Sequence, residues 1–178
     1  DGGSLLYSVM NDGTGQSLLI RRDLGSGAEE ELYRDSVSLR RPFDLSPDGH
    51  QLAFVFMDSL YADMPGGIAV LDLDTGTTRR LVTFGDSLAE WEVSLQWTPD
   101  GEQVLYSEIV RSGEEQNEWH SNVSRVPARG GDPELLWSFA EGKFAGAFDL
   151  SPDGRQIAVD DNGVIPELDD NPFDEPIA

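Results

Sequence analysis

A serine and two histidines are the residues whose chemistry the sequence puts forward first. Ser87 lies in the run GDSL that extends from Gly85 to Leu88. A serine in such a block acts as a nucleophile when a histidine takes its proton, and the histidine usually follows an aspartate at the spacing Asp-x-x-His. Neither His50 nor His120 follows an aspartate at that spacing. We therefore expect no intrinsic catalysis and interpret the GDSL run as a chance match.

Acidic residues near the end of the chain suggest a second chemistry, the binding of calcium. Residues 158–169 carry part of the spacing of a calcium-binding EF-hand loop, but Ala158 stands where the first carboxylate ligand belongs. The motif fails there, and only a loose site from Asp160, Asp161 and Asp169 stays open. The chain has no cysteine, which excludes disulfides and thiolate chemistry. We expect no cofactor.

The net charge of the chain limits the classes of partner that it can bind. Among 178 residues, 34 are acidic and 12 are basic, so the formal net charge is −22. Binding to nucleic acid requires clustered basic residues, so the charge excludes that partner, and it disfavours binding to an anionic membrane surface. No apolar run is long enough for a transmembrane helix. The hydrophobic fraction of 38% supports a packed core, and a partner with a basic patch is the natural complement.

A repeated segment reveals the elements that position these side chains. A stretch of the type Phe-Asp-Leu-Ser-Pro-Asp-Gly followed by apolar residues occurs at 43–54, 95–106 and 148–159. Its aspartates Asp48, Asp100 and Asp153 define a period of about 50 residues, which is typical of propeller repeats. Asp1 begins inside a fourth copy, so we expect that residues ahead of it belong to the natural protein.

Each repeat predicts a hairpin. Ser-Pro-Asp-Gly favours a type I turn, in which proline presets the second position and glycine takes the left-handed residue. Aromatic and β-branched residues on both sides favour strands. Four strands per period describe a blade of a β-propeller. The predicted fold is all-β, with about 3.5 four-stranded antiparallel blades. We place a partial blade at 1–42, blades at 43–94 and 95–147, a partial blade at 148–160 and an acidic tail at 161–178.

These residues also carry a family resemblance. The Ser-Pro-Asp-Gly hairpin and the segments GGIAVLDLDTGTTRRLV and SRVPARGGDPELL resemble the PD40 repeat of TolB-type propellers. They are also similar to the propeller domains of prolyl-oligopeptidase-like peptidases and of bacterial Ser/Thr sensor kinases. The resemblance implies the fold, and through TolB it implies a periplasmic or extracytoplasmic location. A catalytic triad of such peptidases would lie in a separate domain, and no Gly-x-Ser-x-Gly elbow occurs here.

Propeller topology predicts one recognition surface. Loops between blades and loops between the second and third strands of a blade share one face, which would gather exposed aromatics and carboxylates. The predicted partner-binding residues there are Tyr61, Asp63, Met64, Trp91, Glu115, Glu118, Trp119 and His120. The alternative is that Trp91 and Trp119 pack between blades. Trp97 and Trp137 are predicted to be core residues.

The tail offers a second contact. Residues 160–178 contain seven acidic side chains, no basic ones and three prolines, so we predict an extended segment. It would contact a partner or another blade through Ile165, Leu168 and Phe173, or form a disordered terminus.

Two functions remain open from the sequence. The first is a non-catalytic interaction module, a TolB-like propeller that docks onto a protein or a larger complex. The second is an accessory propeller of a longer enzyme or sensor, such as a peptidase or a Ser/Thr kinase, whose catalytic domain lies elsewhere. In either case we expect the exposed blade edges to be covered by further sequence or by another subunit, because open edges and apolar faces invite association.

Overall fold

The computed structural model describes residues 2–11, 16–35, 38–57, 66–84, 94–112 and 118–161. These residues form β-strands and turns, and none of them lies in a helix. The all-β prediction is therefore confirmed. The part of the chain that the structure describes also has no helix suited in length and hydropathy to cross a membrane.

Two central sheets each contain four antiparallel strands in the order of the chain, which is the arrangement of a propeller blade. We call them the second and third sheets. The strands of the second sheet are β4 (Ser38–Leu45), β5 (Gln51–Met57), β6 (Gly66–Asp72) and β7 (Thr78–Thr83). Those of the third sheet are β8 (Leu95–Trp97), β9 (Gln103–Ser112), β10 (Glu118–Pro127) and β11 (Glu134–Ser138).

Two smaller sheets flank the central pair. The first sheet consists of β1 (Ser4–Asn11), β2 (Gln16–Asp23) and β3 (Glu29–Asp35), and the fourth consists of β12 (Ala145–Leu150) and β13 (Ile157–Asp161). The repeat aligns β1 and β13 with β5 and β9. The first sheet therefore corresponds to the second, third and fourth strands of a blade, and the described part of the fourth sheet corresponds to the first two.

The first strands of two blades begin earlier than the repeat predicts. β4 begins at Ser38 rather than at residue 43, and β12 begins at Ala145 rather than at residue 148. Both strands contain a register irregularity just before the repeated segment. Pairing resumes on the far side of the irregularity, and a bulge of this kind leaves no simple sequence pattern.

The predicted turns are confirmed in atomic detail. In the second sheet the Gly49 N–H donates to the Ser46 carbonyl oxygen at 2.8 Å, which closes the turn. Gly49 has φ 78°, a left-handed value that a residue with a side chain rarely adopts. The Ser46 hydroxyl donates to Asp48 Oδ1 at 2.6 Å. Equivalent hydroxyl–carboxylate bonds join Thr98 to Asp100 and Ser151 to Asp153, also at 2.6 Å.

Side chains of β5 pack on both faces because this strand lies between two other sheets. Leu52 and Phe54 belong to a cluster with Leu19 of the first sheet. Ala53 and Val55 point the other way, into a cluster with Trp97 and Tyr106 of the third sheet. A continuous apolar run thus marks a strand buried on both sides.

The two tryptophans predicted as core residues behave differently. Trp97 is buried, as predicted, with 4% of its surface exposed. Trp137 is 63% exposed, so that prediction was wrong. Trp97 lies on the first strand of its sheet, under the second sheet, whereas Trp137 lies on β11, the outermost strand. No described strand of the fourth sheet extends far enough outward to cover β11.

Candidate functional site

Most of the predicted recognition surface and tail lies outside the described residues. The same holds for the GDSL run and for one residue of the loose calcium site. These positions are Tyr61, Asp63, Met64, Trp91, Glu115, Ile165, Leu168, Phe173, Gly85 to Leu88 and Asp169. Their roles stay predictions. Within the described part of the chain, no group of three His, Asp or Glu residues is arranged to hold a metal ion.

The remaining residues of that surface lie at the start of β10. The strand begins at Glu118, and the side chains of Trp119 and His120 are each partly buried. The Trp119 carbonyl oxygen accepts the Gly142 N–H at 2.8 Å. The segment that links the third and fourth sheets therefore runs beside this end of β10 and limits how much of the strand a partner can reach.

A polar pair lies next to this end of the strand, and the sequence analysis missed it. Glu108 of β9 and Asn122 of β10 are paired in register. Side chains paired this way share one face of the sheet, with Cβ atoms about 5 Å apart. Tyr106 and Ser124 form the next pair on that face, and Tyr106 belongs to the core cluster shared with the second sheet. Glu108 and Asn122 therefore face the second sheet.

Burial sets the electrostatics of this pair. Burial raises the pKa of the Glu108 carboxyl above its usual range. The pKa of Tyr106 rises to about 12 because burial raises it most and the nearby Glu108 charge raises it further. A hydrogen bond with Ser124 lowers the same pKa by less. The Tyr106 ring packs 5.8 Å from the ring of Phe84. Glu108 therefore borders an apolar wall, which disfavours its charged form.

The repeat contains the signal that reveals this pair. Phe56 is the equivalent of Glu108 in the second sheet, where it is 1% exposed and pairs with Gly67. A Cβ at Gly67 would meet the Val82 carbonyl oxygen and would lie 2.9 Å from the Phe56 ring, so that pair is tightly packed. The third sheet replaces it with a carboxylate and an amide. Such a departure from the apolar pattern marks a candidate site.

A chain of hydrogen bonds joins the first strands of consecutive sheets. Asp44 of β4 accepts the Trp97 N–H at 2.8 Å, and its carbonyl oxygen accepts the Trp97 indole N–H at 3.1 Å. The equivalent residue Gln96 accepts the Leu150 N–H at 2.9 Å and donates to Asp149 at 2.9 Å. The same repeat position thus connects the second sheet to the third and the third to the fourth.

Carboxylates at the opposite end of the sheets stabilise their own turns. The Ser46 hydroxyl and then the His50 N–H lower the pKa of Asp48, and the Thr75 hydroxyl and N–H do so for Asp72. His50 Nδ1 lies 2.9 Å from Asp74 Oδ2, joining two neighbouring turns in solvent. These groups are structural, and the His50–Asp74 pair was not predicted because its two turns are far apart in the sequence.

A shallow cavity of about 440 Å³ lies beside the turn between β2 and β3. Its charged lining residues already have partners within the first sheet or its turn. Arg21 pairs with Glu30 at 2.6 Å, and Asp23 accepts the Ser26 N–H at 2.7 Å. This cavity is therefore a weaker candidate than the Glu108–Asn122 pair.

Comparisons with known proteins support the propeller fold. No family model and no curated protein sequence matches the chain. Among solved structures, the β-propeller domain of the Trilobed protease from Pyrococcus furiosus, described as having an open velcro topology, is 12% identical. That match covers 95% of this chain and 56% of that one, with a TM-score of 0.58.

Two further solved structures match the chain with similar TM-scores. An oligogalacturonate lyase in complex with manganese is 16% identical over 88% of this chain and 43% of that one, with a TM-score of 0.64. A prolyl endopeptidase structure is 20% identical over 88% of this chain and 24% of that one, with a TM-score of 0.62. Identities this low establish the fold and nothing more. The chain has a β-propeller fold and spans between 24% and 56% of the length of these structures.

Proposed function

We propose that the chain is a non-catalytic propeller scaffold that docks onto a protein partner or a larger assembly. One observation carries this proposal. Leu5 and Val9 on the open face of the first sheet are 50% and 39% exposed, whereas their equivalents Leu52 and Phe56 are buried under a neighbouring sheet. Water-exposed apolar positions in a repeat whose central copies bury them favour a covering protein surface.

The charge of the chain supports a partner of one kind. With a formal net charge of −22, the chain repels acidic surfaces and attracts basic ones, and salt screens both effects beyond the Debye length. We therefore expect a protein that places an apolar patch with a basic rim against the first sheet. Its association should weaken as the salt concentration rises.

The proposal includes the finer features that the resemblance implies. The chain would be a TolB-type propeller with PD40 repeats, located in the periplasm or another extracytoplasmic compartment, and it would need no cofactor. Support for a non-catalytic role comes from the turn aspartates and from His50, whose hydrogen bonds are used within the fold. Unchanged esterase turnover in Ser87→Ala would agree with this role, and loss of turnover would contradict it.

A second candidate function is favoured by the comparisons. The chain covers 24% of the prolyl endopeptidase chain and 25% of an acylaminoacyl peptidase chain. It would then be the accessory propeller of a longer enzyme or sensor, and the exposed apolar face would be covered by blades of the same polypeptide.

The intact mass of the native polypeptide separates the two functions. A mass well above 19.5 kDa would support the accessory propeller. A mass of 19.5 kDa with co-sedimentation of a second protein would support docking. In that case Leu5→Ser with Val9→Ser should abolish co-sedimentation, while Leu24→Ser should leave it unchanged, because Leu24 is 58% exposed in a turn. A lone monomer of 19.5 kDa would overturn both functions.

A further inference from the structure

The Glu108–Asn122 pair presents acceptors that have no donor in the described part of the chain. Asn122 Oδ1 is buried and has no hydrogen-bond partner there. Glu108 makes no hydrogen bond or ion pair with a described residue, and within that part of the chain burial is what raises the pKa of its carboxyl. The two side chains are opposite each other on neighbouring strands, so one donor group can reach both.

Two adjacent acceptors without donors define the chemistry of the missing group. A carboxylate accepts hydrogen bonds and a carboxamide oxygen does the same. Leaving them unsatisfied at a partly buried site is costly. A cation with several N–H groups satisfies both, and its bonds to the carboxylate are charge-assisted. An ammonium or guanidinium group at the end of an aliphatic chain would also fit the apolar wall formed by Phe84 and Tyr106.

The face that carries Glu108 and Asn122 continues toward the end of β9 and the start of β10. From Glu108 and Asn122 the same face continues to Val110 and His120, both partly exposed, and then reaches the connection between β9 and β10. In the sequence, residues 58–65, 85–93 and 113–117 connect β5 to β6, β7 to β8 and β9 to β10. These stretches contain seven acidic residues and no Lys, Arg or His, so they add negative charge that favours a cationic ligand.

We propose that Glu108 and Asn122 bind a cationic side chain, a lysine ammonium or arginine guanidinium of a protein partner, between the second and third sheets. This site rests on the proposed docking function and specifies its anchor. The partner would insert its long side chain from the end of the third sheet where β9 ends and β10 begins, while the exposed first sheet supplies apolar contact.

Two small cations test the site on the 178-residue chain. n-Butylammonium and n-propylguanidinium are titrated separately, at constant ionic strength set with NaCl, while NMR follows the Glu108 carboxyl carbon and the Asn122 side-chain amide. At least one probe should produce saturable shifts at both groups. Glu108→Gln should weaken binding at least about tenfold, because it removes the charge-assisted bonds. Glu102→Gln is the matched control, since Glu102 is exposed in the turn before β9, and it should change nothing.

Three outcomes would overturn the proposal. The first is shifts that are equal at all exposed carboxylates and unaffected by Glu108→Gln, because these indicate diffuse attraction to a chain of charge −22. The second is an infrared band of a neutral Glu108 carboxyl at neutral pH that the probes leave unchanged, which would show Glu108 donating to Asn122 itself. The third is the absence of saturable shifts at Glu108 and Asn122 with both probes, which would show that the site binds no cation.

The test also separates this site from the proposed function. If the probes bind at Glu108 but the native 19.5 kDa chain sediments alone, the site stands and the docking function fails. If a partner co-sediments equally with the wild type and with Glu108→Gln, docking stands and the site as its anchor fails.

Discussion

Equivalent apolar positions of the repeated segment are buried in the central sheets and exposed in the flanking sheets. Leu52 and Val104 occupy the same position of the repeat in the second and third sheets, and both are fully buried. Their equivalents Leu5 and Ile157 in the first and fourth sheets are 50% and 37% exposed. The turn before Ile157 nevertheless has the same hydroxyl–carboxylate bond at 2.6 Å as the turn before Leu52. The segment therefore specifies its hairpin locally, whereas burial depends on neighbouring sheets.

The largest effect should come from Gly67→Ala in the second sheet. The added methyl group would collide with the Val82 carbonyl oxygen and approach the Phe56 ring to 2.9 Å, and backbone cannot yield as a flexible side chain does. We expect a loss of more than about 3 kcal/mol in the free energy of unfolding, or failure to fold.

Gly25→Ala is the matched control in the flanking first sheet. Its added methyl group would meet only Asp23 Oδ1, at 3.4 Å, in an exposed turn. Urea unfolding should show a change below about 1 kcal/mol. Equal losses in the two variants would mean that the second sheet is not packed as tightly as described.

The next largest difference in the free energy of unfolding is expected between Leu52→Ala and Leu5→Ala. Truncation of the fully buried Leu52 removes apolar contacts and leaves a cavity, so we expect a loss of about 3 kcal/mol. Truncation of the half-exposed Leu5 should stay within about 0.5 kcal/mol. Thermal unfolding of the 178-residue chain measures both. A Leu5 effect as large as that of Leu52 would show that the first sheet is covered in solution, for instance by self-association.

Sequence reasoning succeeded where the physics is local. The turn around Pro47 and Gly49 was predicted because proline and glycine restrict their own backbone, and the apolar run 52–56 indicated a strand on its own. The exposure of Trp137 was missed because an outer strand and an inner strand can have the same composition. The Glu108–Asn122 pair was missed because the pairing register of two strands is not visible in either strand alone.

The hydrogen bonds between sheets provide a third comparison. Asp44→Ala would leave the buried Trp97 N–H without its acceptor, and we expect a loss of about 1–3 kcal/mol. Asp44→Asn should cost less, because Gln96 already makes the equivalent bond with an amide oxygen. Asp149→Ala is the control on the flanking fourth sheet, where the side chain is exposed, and it should have little effect.

The pH dependence of Asp44 checks the same bond. Burial raises the pKa of Asp44 above 3.8, its ordinary value. Folding therefore favours the protonated carboxyl, so the contribution of Asp44 is complete below pH 3.8 and is lost as the pH rises through the folded-state pKa. The stability of Asp44→Asn relative to the wild type should rise over that window. A relative stability that falls there would contradict the burial of this carboxyl.

Turn aspartates should show the opposite pH dependence. Hydrogen bonds from the Ser46 hydroxyl and the His50 N–H lower the pKa of Asp48 below 3.8. Its contribution is present above pH 3.8 and is lost as the pH falls through the lowered folded-state pKa. Asp48→Asn should therefore lower the melting temperature near neutral pH, and the difference should shrink in acid. Asp153→Asn breaks the equivalent hydrogen bonds in the flanking fourth sheet. It should lower the melting temperature of the main unfolding transition less than Asp48→Asn does. Equal shifts would show that both turns unfold in one cooperative unit.

The smallest effect should come from Trp137→Ala. Trp137 is 63% exposed on the outermost strand of the third sheet, so its removal should change the free energy of unfolding by less than about 0.5 kcal/mol. Trp97→Ala removes a buried indole together with its bond to Asp44, and we expect a loss of about 3–5 kcal/mol. Acrylamide quenching sharpens the comparison, because Trp137→Ala should remove a readily quenched component of the tryptophan fluorescence and Trp97→Phe a protected one. If Trp137 is instead protected from quenching in the isolated chain, the outer face of the third sheet is covered. The contrast between central and flanking sheets would then hold for the first sheet alone.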